Sequence, residues 1–446
     1  MTKIDFLKNY NKVYFMGVGG VSMSALCRFT LKNHDSVYGF DRLKSKTIDD
    51  LILDGMIFKR LSFKELKDSL IVYTSAVENT EDFLSFKSKG LSLMKRSVYL
   101  SKVQSLFRSN IAVSGSHGKT TVTSMIAHVM ICAKKHPTAF IGGFDNVINN
   151  YHHEDKRGVC VVEACEYKKN FLDLKRDVSV VLNVDNDHLD SYIDFSDMLV
   201  SFKKFCLNTF SVVCSDDVNF SFIAPKKFVT YGIKSDALYR AKDIIHTKDG
   251  VSFSLYVKGK YIGDVLLNVK GEHNVQNALA CIAVSRRYKI PYKTIFLGLK
   301  NFKGVKRRME SIGEYHSKKI ICDYAHHPTE IEATLRCENL DGAVVVFQPH
   351  TFSRTKILMS EFLRVLKNVK CLIIHKEYPA REKYDVKGSA KTLYFKLISQ
   401  SKGKVYYTKN LKEIKDAIEN FEGTDKVYFL GAGDVYELAV KMTEKK

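Results

Sequence analysis

The sequence predicts an α/β protein built on parallel sheets and divided into three domains. Short apolar runs alternate with amphipathic helical stretches along the whole chain, and apolar runs without polar alternation are typical of buried parallel strands. The 446 residues exceed what one hydrophobic core holds. Two stretches, YLSKVQSLFRSN and FLGLKNFKGVKRRME, separate successive sets of strands. We therefore predict domains at residues 1–106, 107–301 and 302–446.

The apolar runs mark where the predicted strands fall. They are rich in valine, isoleucine, tyrosine and phenylalanine, which favour strands. The runs are KVYFMG, SVYGFD, LIVYTSA, IAVSGS, VCVVEA, VSVVLNV, KIICDYA, AVVVFQP, CLIIHKE and KVYFLGA.

The composition is that of a folded soluble chain, with 45% hydrophobic and 27% charged residues. No apolar run approaches the roughly 18 residues that cross a membrane, and the opening MTKIDFLKNYNK carries Lys and Asp that argue against a secretory signal. The cysteines are scattered without metal-binding spacing, which fits reduced thiols. We expect a cytoplasmic protein without membrane insertion.

The formal net charge of +21 has two interpretations. A basic chain can bind nucleic acid, or it can reflect a lysine-rich proteome. The lysines are spread along the chain rather than grouped, and the chain has six prolines and no tryptophan, which favours the second interpretation. We therefore expect no nucleic-acid partner, while a basic surface favours small anionic substrates such as nucleotides.

The segment SGSHGKTT lies between an apolar run and a helical stretch, as a phosphate-binding loop does. The usual motif starts with a glycine where this chain has Val113, so the loop is shortened. Gly115 and Gly118 allow backbone N–H groups to turn toward a phosphate at the helix N-terminus. Lys119 supplies a charge for the β- and γ-phosphates and Thr120 a hydroxyl for Mg²⁺. The alternative is an ordinary strand–helix turn with a surface lysine.

A second glycine loop, MGVGGVSMSA, resembles a dinucleotide-binding fingerprint. Gly17 and Gly19 would allow close approach to a pyrophosphate, but the third glycine position holds Ser22, which weakens the case for NAD. Asp41 ends the following strand, where an acid can reach ribose hydroxyls. A glycine turn without a ligand is the alternative.

Two further strands end in polar side chains, in VVEACEYKKNFL and VLNVDNDHLDSY. We expect Glu163 and His188 to lie at the ends of neighbouring strands, on the edge where ligands bind in parallel sheets. A carboxylate there is a natural Mg²⁺ ligand. Because Mg²⁺ prefers oxygen, His188 by itself fits a hydrogen-bonded loop residue as well as a ligand.

Three later segments carry candidate binding residues. GEHNVQNALACIAVSRRY places Asn274 and Asn277 on one helix face, where amides can contact adenine or simply pack. CDYAHHPTEIEATL runs from a strand through His326 and His327 into a helix that starts at proline. A zinc site is the alternative there, but no cysteine or acidic residue has the spacing that would complete one. VVVFQPHTFSRTKI repeats the layout, with Arg354 able to fork onto a carboxylate.

The order of the motifs is more specific than any one of them, and it resembles the Mur ligases of peptidoglycan synthesis over nearly the whole chain. The matching motifs are the glycine loop with GFD, TSAV, GSHGKTT, EACEY, NVDNDHLD, GEHNVQNALA, GVKRRME, DYAHHPTE and FQPHTFSRT. The resemblance implies that the shortened loop is this family's ATP loop. It also implies an ATP-dependent ligase that joins L-alanine to the lactyl carboxylate of UDP-N-acetylmuramate through an acyl phosphate, giving ADP and phosphate.

The resemblance also assigns the residues. It implies a Rossmann-like N-terminal domain, a central P-loop ATPase-like domain and a Rossmann-like C-terminal domain. The residues implied for the UDP-sugar are Gly17, Gly19, Gly20, Asp41, Arg42 and Ser75. Those implied for ATP are Gly115, Ser116, His117, Gly118, Lys119, Thr120 and Thr121, with Asn274 and Asn277 beside adenine.

The resemblance also implies which residues bind the metal, which bind the amino acid and which act in catalysis. The implied Mg²⁺ ligands are Thr120, Glu163 and His188, and the implied amino-acid contacts are Tyr324, His326 and Arg354. Phosphoryl transfer needs charge neutralisation, which the resemblance assigns to Lys119, Mg²⁺ and Arg307 or Arg308. The implied catalytic residues are Lys119, Glu163, His188 and Arg308. Thr351 stands where some members have a second arginine. No lysine matches the carbamylated lysine of related ligases.

Two alternatives stay open. A recycling ligase that attaches a preformed tripeptide to the same nucleotide sugar shares most motifs, although EACEY and DYAHHP favour the alanine enzyme. A non-catalytic nucleotide-binding protein is expected to lack Lys119, Glu163 or His188, and all three are present.

Overall fold

The computed structural model describes residues 4–186, 191–226, 228–337, 343–421 and 423–444. Its strands form three sheets of five, ten and six strands, which confirms the predicted α/β class with three domains. By packing, the chain forms two compact units. The first comprises Met1–Ile245, Ser252–Asn268 and Asn274–Lys303, and the second comprises His246–Val251, Val269–His273 and Gly304–Lys446.

The N-terminal sheet is fully parallel and doubly wound. Its strands are β1 (Lys12–Met16), β2 (Val37–Phe40), β3 (Ile57–Phe58), β4 (Ser69–Tyr73) and β5 (Ser92–Lys95), in the order β3–β2–β1–β4–β5. Its helices are α1 (Val21–Leu31), α2 (Lys46–Leu53), α3 (Glu81–Ser88) and α4 (Arg96–Gln104). The strand order reverses between β1 and β4, and ligands bind at the carboxyl ends of strands beside such a reversal.

The central sheet is larger and mixed. Its strands are β6 (Ser109–Ser114), β7 (Pro137–Asp145), β8 (Asn149–His152), β9 (Val159–Glu163), β10 (Val178–Val181), β11 (Phe210–Cys214), β12 (Phe228–Gly232), β13 (Tyr239–His246), β14 (Val251–Val257) and β15 (Lys260–Leu267). Its order is β15–β14–β13–β12–β11–β10–β6–β9–β7–β8. Its helices are α5 (Lys119–Cys132), α6 (Phe195–Cys206), α7 (Phe220–Ile223), α8 (Glu272–Arg287) and α9 (Tyr292–Asn301).

The order of this sheet corrects one expectation. The strands β9 and β10 are not neighbours, because β6 lies between them and pairs in parallel with both. Val113 is opposite Glu163 on one side, and Ser114 is opposite Val181 on the other. The chain crosses over β6 between the two strands, and a list of apolar runs does not contain that crossover. The strand that carries the ATP loop is therefore central.

One hydrophobic core extends from the N-terminal sheet into the central one. Phe29 of α1 and Tyr99 of α4 belong to the same buried cluster as Phe140 of β7 and Phe202 of α6. Asn150 crosses between the two sheets as well, because its side-chain amide donates to the Val21 carbonyl at 2.8 Å. A fragment ending near residue 106 would expose this shared core to water.

The second compact unit contains the C-terminal sheet. Its strands are β16 (Glu310–Tyr315), β17 (Lys318–Asp323), β18 (Val344–Phe347), β19 (Cys371–His375), β20 (Lys404–Thr408) and β21 (Lys426–Leu430), in the order β16–β17–β21–β18–β19–β20. All neighbours are parallel except β16 and β17. Its helices are α10 (Pro328–Cys337), α11 (Phe352–Ile357), α12 (Met359–Leu366), α13 (Ala390–Ile398), α14 (Leu411–Glu419) and α15 (Val435–Thr443), with a core cluster against each face.

Two further properties hold for the described residues. None of their helices has both the length and the apolar character that crossing a membrane requires. The ten cysteines all fall among them, and each is a free thiol.

Candidate active site

The predicted ATP loop joins β6, which ends at Ser114, to α5, which begins at Lys119. Gly115 has φ +142° and Gly118 has φ +84°, a backbone region that favours glycine. Space is equally restricted, because a Cβ on Gly118 would lie 2.7 Å from the side-chain oxygen of Asn277. Conformation and packing both require the glycines that the motif contains.

The rest of the loop is held by the segment that follows β10. The His117 amide donates to Asn183 Oδ1 at 2.8 Å, and the Asp185 amide donates to Ser116 Oγ at 2.8 Å. The His117 ring nitrogen Nε2 lies 3.1 Å from Asp185 Oδ2. Thr121 is buried in the first turn of α5. The loop geometry therefore depends on Asn183 and Asp185 as well as on the glycines.

Lys119 is the cation of the loop. Its ammonium donates to the carbonyls of Gly115 at 2.6 Å and Ser116 at 3.1 Å, and to Glu166 Oε1 at 3.0 Å. Burial opposes its charge, but the nearby Glu166, Cys165 and Glu163 side chains together outweigh burial, so the pKa of Lys119 lies above its ordinary value. The lysine is fully charged at neutral pH and is aimed at the loop interior.

The oxygen ligands expected for a metal lie at the same end of the sheet. Thr120 Oγ1 donates to Glu163 Oε2 at 2.7 Å, and the Gly142 amide donates to the same carboxylate oxygen at 3.0 Å. A hydroxyl next to a carboxylate is a donor pair of the kind that Mg²⁺ prefers. The third expected ligand, His188, lies outside the described residues.

The two expected adenine-side residues meet near this loop. Asn274 and Asn277 are both buried in the first half of α8. The Asn277 side-chain amide donates to Asn274 Oδ1 at 3.1 Å, so the pair shares one helix face. Asn277 Oδ1 occupies the space that a side chain at Gly118 would need. The face of α8 that carries the two asparagines therefore packs against the ATP loop.

The N-terminal glycine loop brings together residues from three strand ends. Gly17 has φ +81°, and a Cβ there would lie 2.8 Å from a methyl carbon of Thr74 at the end of β4. The Gly19 amide donates to Asp41 Oδ2 at 3.0 Å, across from the end of β2. The loop ends at Gly20, the residue that caps α1.

The remaining predicted UDP-sugar residues lie on the same edge. The Arg42 amide donates to Asp41 Oδ1 at 2.8 Å, which fixes the acid at the loop. Ser75 opens a single helical turn, Ser75–Val77, immediately after Thr74. The six residues therefore converge at the carboxyl ends of β1, β2 and β4.

The C-terminal sheet gathers the predicted amino-acid residues. The rings of Tyr324 and His326 are 5.3 Å apart, and the His326 ring lies 5.7 Å from that of His350. Arg354 Nη1 lies 3.2 Å from His350 Nδ1, and the His350 ring stacks on Tyr378 at 5.5 Å. Tyr324, His326 and Arg354 are thus joined through His350.

Arg308 lies beside this group. Its Nη1 donates to Glu330 Oε1 at 3.3 Å, and its guanidinium lies 5.3 Å from the centre of the Tyr324 ring. Burial opposes its charge, but the Glu330 and Asp323 carboxylates raise the pKa of Arg308 above its ordinary value. The amide of His326 donates to the other Glu330 oxygen at 3.1 Å. Glu330 therefore positions both the arginine and the histidine loop.

Comparison with known proteins identifies a family for this chain. Residues 113–285 match the family model described as Mur ligase middle domain, and residues 307–433 match Mur ligase, glutamate ligase domain. The chain is 38% identical over 453 residues to a UDP-N-acetylmuramate--L-alanine ligase of Clostridium kluyveri, covering 97% of this chain and 98% of that protein. The ligase of the same name from Caldanaerobacter subterraneus subsp. tengcongensis is 34% identical over 457 residues, covering 98% of both chains.

This chain belongs to the Mur ligase family.

Solved structures show the same fold. The UDP-N-acetylmuramate-alanine ligase of Thermotoga maritima is similar with a TM-score of 0.81 and 26% identity, covering 97% of this chain and 98% of that one. A murein peptide ligase from Psychrobacter arcticus has a TM-score of 0.72 at 20% identity, with the same coverage, and shows the fold alone.

Sequence reasoning missed several polar residues that this Mur ligase places at its predicted sites. Glu166 is the ion-pair partner of Lys119, yet only Glu163 was singled out from the segment EACEY. His350 connects the C-terminal residues, yet Arg354 was the one residue of HTFSRT to which an amino-acid contact was assigned. The signal was available in each case, because both residues follow a buried strand within a few positions.

Thr351, where some family members have a second arginine, has an unusual backbone. Its φ is +67°, which is strained for a β-branched residue, and it immediately precedes α11. Its amide donates to the Tyr378 carbonyl at 2.9 Å. This bond fixes the loop between His350 and Arg354.

Proposed function

We propose that this chain joins L-alanine to the lactyl carboxylate of UDP-N-acetylmuramate, with ATP converted to ADP and phosphate, as a step of peptidoglycan synthesis. The observation that carries the proposal is its similarity over nearly its whole length to ligases of that name. The convergence of Lys119, Thr120 and Glu163 at the end of β6 supports it, because these residue types bind a nucleotide and its metal.

Each domain has one substrate in this proposal. Residues 1–106 bind the UDP-sugar, residues 107–301 bind ATP and residues 302–446 bind the amino acid. The three sheets support this division, because their strands lie within residues 12–95, 109–267 and 310–430. The use of ATP and a nucleotide sugar supports a cytoplasmic location.

ATP binds with its phosphates in the loop between Gly115 and Thr121. The N–H groups at the start of α5 face the phosphates, and the helix N-terminus favours their negative charge. Lys119 neutralises the β- and γ-phosphates, and its raised pKa keeps it charged throughout the neutral range. Asn274 and Asn277 bind on the adenine side, beside Gly118.

The residues at the end of β9 fit Mg²⁺. Thr120 Oγ1 and Glu163 Oε2 are adjacent hard donors, and His188 is the third proposed ligand. Bound Mg²⁺ supplies charge neutralisation on phosphate oxygens. The Gly142 amide holds Glu163 in place, so the carboxylate needs no rearrangement to present its second oxygen.

The reaction has two steps. The lactyl carboxylate attacks the γ-phosphorus, the bond to the β-phosphate oxygen breaks, and an acyl phosphate and ADP form. The alanine amine then attacks the acyl carbon, and phosphate leaves as the amide bond forms. Lys119 and Arg308 neutralise charge on the transferred group, which is the main requirement of phosphoryl transfer.

The amino acid binds to the group around His350. Arg354 forks onto the alanine carboxylate, and Tyr324 and His326 border the same place. A guanidinium matches a carboxylate in two parallel hydrogen bonds, so it orients the amine as well as attracting the anion.

A phosphate-release assay tests this function. The full chain with UDP-N-acetylmuramate, ATP and Mg²⁺ is expected to release phosphate with L-alanine and not without an amino acid. Release with a preformed tripeptide but not with any single amino acid would identify the recycling ligase instead. Nucleotide binding without release under any condition would identify a non-catalytic protein.

A further inference from the structure

Arg96 is a basic residue with no role so far in binding ATP, the metal, the UDP-sugar or the amino acid. It is the first residue of α4 and directly follows β5, so it lies at the carboxyl edge of the N-terminal sheet. Its Nη1 donates to Ser22 Oγ at 2.9 Å, in the first turn of α1 after the glycine loop. The neighbouring Ser97 donates to Asp173 Oδ2 at 2.6 Å, which fixes the start of α4 against the central domain. Arg96 is therefore held between the two domains.

Among the described residues, no carboxylate forms a direct ion pair with the Arg96 guanidinium. Across the part of the chain that the structure describes, Ser22 is the only hydrogen-bond partner of its side chain. Burial lowers the pKa of Arg96 below its ordinary value, although the Cys165, Glu163 and Asp173 side chains act in the opposite direction. A guanidinium has five N–H donors, and a partly buried one with a single neutral partner favours an anion.

UDP-N-acetylmuramate has two anionic groups, the diphosphate and the lactyl carboxylate, and in the proposed function they bind at different sites. The diphosphate is the proposed ligand of the glycine loop that begins at Gly17. The lactyl carboxylate must reach the γ-phosphate, beside the proposed metal ligand Glu163. The Glu163 carboxylate acts electrostatically on Arg96, while Ser22 ties Arg96 to the glycine loop. Arg96 thus lies on the path from the diphosphate to the reacting end.

We propose, building on the proposed function, that Arg96 binds the lactyl carboxylate of UDP-N-acetylmuramate and positions it for attack on the γ-phosphate. The fork of the guanidinium pairs with both carboxylate oxygens, which fixes the direction of the carboxylate as well as its place. The hydrogen bond to Ser22 orients the fork. Ser22 stands where a dinucleotide-binding loop has its third glycine, and here its hydroxyl has this separate role.

Calorimetry on the full chain, without ATP or Mg²⁺, separates the two anionic groups. UDP-N-acetylglucosamine has the same nucleotide and the same sugar core but no lactyl group. Arg96→Ala is expected to weaken UDP-N-acetylmuramate binding at least about 30-fold and to leave UDP-N-acetylglucosamine binding unchanged. Arg96→Lys keeps the charge without the fork, so it is expected to restore only part of the loss. Lys102→Ala, an exposed lysine on the same helix, is the control and changes neither affinity.

Two results would overturn the inference. Equal loss of both ligands would assign Arg96 to the shared diphosphate, and loss of neither would remove it from the site. Arg96→Gln keeps a donor for Ser22, so if Arg96→Ala fails to fold, this variant must show the same selective loss. Failure of the unaltered chain to bind UDP-N-acetylmuramate would contradict the proposed function itself, whereas normal binding that Arg96 variants leave intact contradicts only this inference.

Discussion

Replacement of Lys119 by methionine tests the ion pair at the centre of the ATP loop. Methionine keeps most of the side-chain length, so the change removes the charge with little cavity. The Lys119 side chain is 12% exposed and that of Glu166 only 1%. Removing one partner of a buried pair costs about 3–5 kcal/mol, because the other charge stays buried without compensation. We expect the free energy of unfolding to fall by about that amount.

A second substitution distinguishes stability from catalysis. Glu166→Gln in the Lys119→Met background replaces the pair by two neutral groups, which is often close to neutral for stability. The double variant is therefore expected to recover most of the lost free energy. Turnover is expected to stay at least about 100-fold below normal in both variants, because the transferred phosphate then lacks the positive charge that Lys119 supplies.

Urea denaturation of the full chain without nucleotide measures the stability, and phosphate release measures turnover. Lys135→Met, an exposed lysine just after the same helix, is the matched control and is expected to change neither. Because the pKa of Lys119 is raised, its contribution is complete at neutral pH and is lost only as the pH rises through that raised value. A loss below about 1 kcal/mol, or restored turnover in the double variant, would refute the reasoning.

Three further predictions concern the other groups. Arg354→Lys should raise the KM for alanine roughly 30-fold to several thousand-fold in steady-state assays, and equal damage to the KM for ATP would contradict a carboxylate contact. Gly118→Ala should weaken ATP binding in calorimetry, since its Cβ would lie 2.7 Å from Asn277 Oδ1. Gly259→Ala, which has φ +75° and open space, should not. His188→Ala should raise the Mg²⁺ concentration for half-maximal turnover, and an unchanged Mg²⁺ dependence would argue against a metal ligand.

The fold was predictable where strands are buried on both faces. Each of the ten apolar runs overlaps a strand of the structure, from Lys12–Met16 to Lys426–Leu430. Eleven strands were missed, namely β3, β5, β7, β8, β11 to β16 and β20. Two of them, Pro137–Asp145 and Phe210–Cys214, are largely buried, but glycine or serine interrupts their apolar run. In Val251–Val257 buried and partly buried positions alternate, and in Lys260–Leu267 many positions are exposed. Such half-buried strands lack the continuous apolar run that identified the others.

The active site was predictable where one short motif holds all the partners. Gly115, Gly118, Lys119 and Thr120 come from one loop, and local geometry fixes their relation. The contact of Gly118 with Asn277 was not predictable, because it joins a loop to a helix far along the chain. The wrong adjacency of β9 and β10 has the same origin, since strand order depends on crossovers that a local pattern does not encode.

Parallel topology supplies a rule that would have found more of the site. All parallel strands of one sheet that run the same way end at the same edge, so the polar residues just after each buried strand are candidates to meet there. Applied after β10, the rule selects Asn183 and Asp185, which hold the ATP loop. Applied after β18, it selects His350, which contacts Arg354. Applied after β5, it selects Arg96. The rule identifies which polar residues lie at the carboxyl edge of the sheet. Which of their side chains contact each other depends on the packing of the folded chain.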